Sequence, residues 1–176
     1  MRTEYLMEKQ LELVLELLTP QNRLVMRTCL ATGLRVGDVL RLTPDQIKRN
    51  VWITEQKTKK RRQIGFSEPL ASDLRANAGE KWVFPGRNPE QHLTRQAVWK
   101  DVKRAGRACR LCQNIGPHSM RKVYAVELLK KYGDIDRVQR ALNHADTCVT
   151  MVYAMADQQL EAKNRRRRAR SGRRLN

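Results

Sequence analysis

Helical spacing runs through almost the whole chain, and only three short β-rich runs interrupt it. That pattern confines the fold to a mixed α/β domain, mainly α-helical, with one small antiparallel sheet. In "EYLMEKQLELVLELL", Leu11, Val14, Leu15 and Leu18 share one helical face. Pro20 opens a second helix that stops at Gly33, and a short one covers "VGDVLRL" before Thr43-Pro44. "VWIT" (51–54) and "RQIGF" (62–66) read as strands joined by the polar, basic turn "EQKTKKR". "KWVFPG" reads as a third short strand, so a three-stranded sheet is expected.

Helices follow over 67–78, over "LTRQAVWKDVKRAGRA", and from Pro117 to a Gly133 cap with Lys130 and Lys131 in the last turn. "DIDRVQRALN" and "DTCVTMVYAMADQQLEAKN" complete the series, each opened by an aspartate that can cap it. There is no internal repeat. At 176 residues this is one domain's length, and no apolar run is long enough to span a bilayer.

Charge identifies the kind of partner. The chain carries 36 Lys and Arg against 18 Asp and Glu, a net +18. Residues 163–176 hold eight basic and no acidic side chains, so the preceding 162 residues still carry +10. A basic body as well as a basic tail calls for a polyanion, nucleic acid first. A basic RNA-binding protein is one rival, and aromatics at 5% argue mildly against base stacking as its principal mode. Cys109 and Cys112 form "CRLC", but the two further well-spaced ligands of a closed zinc site are missing. Free thiols and no metal or other cofactor are expected.

The familiar catalytic motifs are absent: no GxGxxG, P-loop, HExxH or GxSxG. What stands out is a series of cations followed by a late tyrosine. Arg35 follows a helix-ending glycine in "ATGLRVGDVL", and Lys57 lies in the hairpin turn. His118 and Arg121 are three apart on one helix face, which disfavours both unless an anion lies between them. His144 precedes Tyr153 by nine residues in "LNHADTCVTMVY"; Tyr5, Tyr124 and Tyr132 do not stand at that distance from a histidine.

Taken together, "TGLR", a hairpin lysine, H-x-x-R, "LNH" and a tyrosine nine residues on resemble the catalytic domain of the tyrosine recombinases, the phage integrase family, over roughly residues 5–158. The resemblance implies a domain over 1–160 and a separate basic tail over 161–176. It implies a site-specific recombinase that cuts and rejoins duplex DNA through a 3′-phosphotyrosine, with neither metal nor ATP. Arg35 and Arg121 would clamp the scissile phosphate, and Tyr153 would be the nucleophile. Lys57 would protonate the departing 5′-oxygen, with Lys59 and Lys60 as competitors for that role. His118 would assist as base or proton donor, His144 would hydrogen-bond the phosphate, and Asp38 would orient the site. Expected DNA contacts are Lys59, Lys60 and Arg61 on the hairpin, Arg95, Lys100 and Lys103 on the amphipathic helix, and Lys122.

The same resemblance implies a monomer that forms a homotetramer on double-stranded DNA, with accessory DNA-bending proteins and no membrane. It implies a cytoplasmic, nucleoid-associated protein, bacterial or phage-encoded. Two departures stand beside it. Asn143 replaces the usual glycine of "LGH", and Arg35 comes too early for the family's preceding core-binding domain to fit. A cut catalytic domain or a short member is therefore expected. Rival readings are a binding-only descendant of a recombinase and a relaxing activity like that of type IB topoisomerases.

Overall fold

The computed structural model describes residues 3–142 and divides the chain into two units, 1–124 and 125–176. His144, Tyr153 and the basic tail lie outside the described residues.

The first unit begins with an extended segment whose Leu6 is fully buried and whose Glu4 amide bonds the Asn114 carbonyl. Helix α1 (Glu8–Leu17) then turns Val14 and Leu18 inward, as the spacing requires. Arg23 closes its C-terminus, donating to the Leu15 and Glu16 carbonyls that the last turn leaves open. Helix α2 (Pro20–Thr32) starts on Pro20 and ends on Gly33 in the left-handed conformation, φ +65°. Helix α3 (Val36–Val39) follows at once.

Strands β1 (Val51–Thr54) and β2 (Arg61–Ile64) pair antiparallel, with Trp52 opposite Gln63 and Ile53 opposite Arg62. Period 2 puts Val51, Ile53 and Glu55 on one face. Glu55 and Lys60 close the turn, where Lys59 at φ +56° donates its amide to the Glu55 carbonyl. A side chain strains that left-handed position by about 1–2 kcal/mol, and glycine's freedom in the unfolded chain returns part of the gain. Lys59→Gly is thus expected to stabilise the protein by roughly 0.5–1 kcal/mol, read from urea denaturation.

Among the described residues the sheet has two strands, not three. The "KWVFPG" run joins no ladder because its backbone groups go to single partners in separate segments. Val83 instead bonds the Leu42 carbonyl, Leu93 bonds Phe84, and Pro85 makes a lone bridge to His92.

Helix α4 (Glu68–Asn77) packs Leu70, Ala71 and Leu74 on the core. Helix α5 (Arg95–Ala108), capped by Thr94, buries Val98, Val102 and Ala105 and exposes Lys100 and Arg104. Asp101 on α5 ties it to the start of α2, accepting from the Thr19 amide and Asn22 Nδ2. Helix α6 (Pro117–Tyr132) starts in this unit and stops at Gly133, again at φ +65°. In the second unit helix α7 (Ile135–Leu142) is capped by Asp134 and buries Val138 and Leu142.

Candidate functional site

The "TGLR" stretch builds its own corner. Gly33 sits at φ +65°, which glycine adopts without strain, and a Cβ there would lie 2.4 Å from two ring carbons of Tyr124. The turn releases the backbone into an extended Arg35, which starts α3 and leaves its side chain 17% exposed at a cleft. That cleft, of about 920 Å³, is lined by Arg35, Asp38, Lys57, Arg95, Trp99 and His118, among others. Three residues drawn from separate parts of the sequence, Arg35, Lys57 and His118, thus share one concave surface.

Arg121 is not on that surface. It is 6% exposed, and its Nη1 donates to the Gly33 carbonyl, which fixes it beside the corner. Burial, followed by the neighbouring Arg35 cation, lowers its pKa to about 10. Such a concentration of positive charge needs a counter-charge, and Glu55 supplies it. Fully buried at the end of β1, Glu55 accepts from Arg35 Nη1 at 2.5 Å and Thr58 Oγ1 at 3.0 Å, and Arg62 Nε lies 4.0 Å away. Burial by itself would raise its carboxyl; the Arg35 and Arg121 cations and the Thr58 and Arg35 hydrogen bonds outweigh it and hold it below the ordinary range. Arg62 is buried as well and donates Nη2 to the Thr32 carbonyl at 2.6 Å, joining β2 to the end of α2.

Asp38, 5% exposed, accepts from the Gln56 amide at 2.9 Å. Its carboxylate therefore holds the hairpin turn beside Lys57, while its amide donates to the Arg35 carbonyl at 2.8 Å. Its second oxygen, Oδ2, is buried without a partner among the described residues.

His118 keeps an exposed edge toward the cleft. Desolvation of its inner side, then the cations of Arg121, Arg35, Lys57 and Lys122, push its pKa below the usual 6.5. The unfolded chain consequently binds this proton first, so stability should fall as pH drops through 6.5 and level off below the folded value. His118→Gln removes that slope. Urea denaturation at about pH 7.5 and 5.5 should show a larger loss for wild type than for the variant.

The remaining expected contacts divide. Arg95 lines the cleft, its stem passing 3.4 Å from a Cβ built on Gly37. Lys59, Lys60 and Arg61 are exposed on the hairpin, with the Arg61 guanidinium 5.5 Å from the Trp52 ring centroid. Lys100 is exposed on α5. Lys103 and Lys122 bond internal oxygens, of Asn114 and Thr3, and neither lines the cleft. Cys29, Cys109 and Cys112 are free, and no group of three potential metal ligands forms among the described residues. No helix there is long and apolar enough to cross a membrane.

Glu55 and Arg62 pack against the candidate site and were missed by the motif reading. A signal for Glu55 was present: two residues beyond Ile53 on a period-2 strand, it had to point inward. Arg62 was hidden inside a basic run whose other members are solvated.

Residues 4–159 match the phage integrase family. The chain belongs to that family. A Sinorhizobium fredii protein named as an integrase/recombinase is 33% identical over 140 residues, covering 76% of this chain and 46% of its own length. Tyrosine recombinase XerD of Rhizobium meliloti is 31% identical over 134 residues, 70% of this chain and 43% of its own. The chain spans less than half the length of either relative.

Solved phage integrase structures have the same fold. A lambda integrase dimer bound to a core site superposes with a TM-score of 0.74 at 19% identity, covering 88% of this chain and 60% of that one. The catalytic domain of bacteriophage HP1 integrase gives 0.67 at 22% identity, covering 88% and 89%. The fold is therefore that of a tyrosine recombinase catalytic domain.

Proposed function

We propose that this chain is the strand-cleaving domain of a site-specific DNA recombinase. The observation that carries the reading is the convergence of the cations Arg35 and Lys57 and the imidazole of His118 around one cleft, with Arg121 beside it and Glu55 paired to Arg35. A phosphodiester is the anion that such a set would hold. Planar guanidinium forks suit its non-bridging oxygens, where charge builds in the transition state.

In this scheme the Tyr153 hydroxyl attacks phosphorus and its proton passes to His118, neutral because its pKa is depressed. The P–O5′ bond breaks, Lys57 protonates the departing oxygen, and a 3′-phosphotyrosine remains. The reverse attack by a 5′-hydroxyl reseals the strand, so the ester's energy is conserved. His144 adds a hydrogen bond to the phosphate. Duplex DNA is the substrate, and a homotetramer of this chain, aided by DNA-bending proteins, brings two sites together. The basic segment 161–176 is a separate phosphate-seeking arm.

Covalent trapping tests this. Wild type and Tyr153→Phe are incubated in EDTA with nicked suicide duplexes carrying candidate sites. A protein band heavier by the DNA strand, present only for wild type, is the expected result. An adduct formed equally by the variant would overturn the assignment of Tyr153.

A further inference from the structure

The exposed indole of Trp99 has no part in that scheme. Trp99 lies on α5 and is 47% exposed, although it lines the cleft that holds Arg35 and His118. It also walls a second pocket, of about 330 Å³. Leu111 and the buried Ile115 make this second pocket apolar, and Lys103 and Arg107 make it cationic. Lys103 Nζ stands 5.7 Å from the ring centroid over one face of the indole, held there by its bond to Asn114 Oδ1. An apolar wall, an exposed aromatic face and two cations are what an unpaired nucleotide needs: a stacking surface for the base and charge for its phosphate.

The position is as informative as the composition. Because Trp99 lines both cavities, a strand whose phosphate sits against Arg35 and His118 has a direct route along the indole into the second pocket. We propose that Trp99 and the pocket beyond it receive an unpaired nucleotide next to the scissile phosphate, its base stacked on the indole. The proposal rests on the DNA reading above and adds a binding site for single-stranded substrate to it.

The test does not depend on cleavage. In a full chain carrying Trp52→Phe and Trp82→Phe, Trp99 is the one fluorophore of its type. It is titrated with a duplex ending in a short single-stranded thymidine overhang, and with a blunt duplex of equal length. Quenching by the overhang duplex alone is expected. Trp99→Ala should weaken overhang binding by about 5- to 150-fold while leaving blunt-duplex binding within about twofold, and Trp99→Phe should restore most of it. Unchanged fluorescence, or an equal loss on both duplexes, would sink the proposal. Quenching in a protein that never traps DNA would uphold the nucleotide site and remove the recombinase reading instead.

Discussion

Replacing Glu55 with alanine should destabilise the protein by about 3–5 kcal/mol, because a buried ion pair that loses one partner strands the other's charge. Here the stranded charge is unusually large. Arg35 loses its 2.5 Å acceptor, Arg62 its 4.0 Å neighbour, and Arg121 a stabilising anion. For a chain of this size the melting temperature should fall by roughly 6–20 °C. Glu55→Gln separates charge from hydrogen bonding: it keeps an acceptor for Arg35 and Thr58 but not the anion. The acid limb gives a further check. Wild-type Glu55 titrates below its unfolded value of 4.5, so the stability it contributes is present above 4.5 and lost as pH falls through the folded pKa. Thermal melts across that range should show a shallower acid loss in Glu55→Gln. If Glu55→Ala melts within a degree or two of wild type, the carboxylate is not what holds the cation cluster together.

Gly33→Ala comes next, at about 2–5 kcal/mol. Left-handed backbone costs an alanine about 1–2 kcal/mol, and overpacking a filled site adds about 1–3 kcal/mol. The overlap is specific, since the new methyl would lie 2.4 Å from Tyr124 Cδ1 and Cε1. A double-mutant cycle with Tyr124→Ala therefore divides the effect. The overlap should vanish in the double variant and the conformational cost remain, giving a cost below the sum of the two singles. The same substitution shifts the Gly33 carbonyl that anchors Arg121, so trapping of DNA should slow as well. Strict additivity in the cycle would rule out contact with Tyr124 as the reason for glycine here.

The sequence by itself determined most of the frame and the identity of the cations. Gly33, Pro20, Pro117 and Gly133 mark helix ends through their own backbone preferences, which need no distant partner. Leu11, Val14, Leu15 and Leu18 declare the inward face of α1 because 3.6-residue spacing is local arithmetic. Arg35, Lys57, His118 and Arg121 were legible for a different reason: their order and spacing match a family pattern. Their convergence was not legible in composition or periodicity.

Tertiary structure decided the rest. It alone sets Arg121 beside the corner instead of on the cleft surface, because the Gly33 carbonyl 88 residues away takes its Nη1. It alone turns Arg62, one of six consecutive residues rich in Lys and Arg, into a buried strut, while Lys59, Lys60 and Arg61 stay solvated. "KWVFPG" has a strand's composition, yet forming a third strand depends on a neighbour with free backbone groups, and Leu42 and Leu93 bind it otherwise. Trp99 comes to line two cavities only when α5 packs beside the start of α6. Local preferences fix where elements begin and end. Burial, charge compensation and cavities arise between residues far apart in the chain, and only the folded structure brings those together.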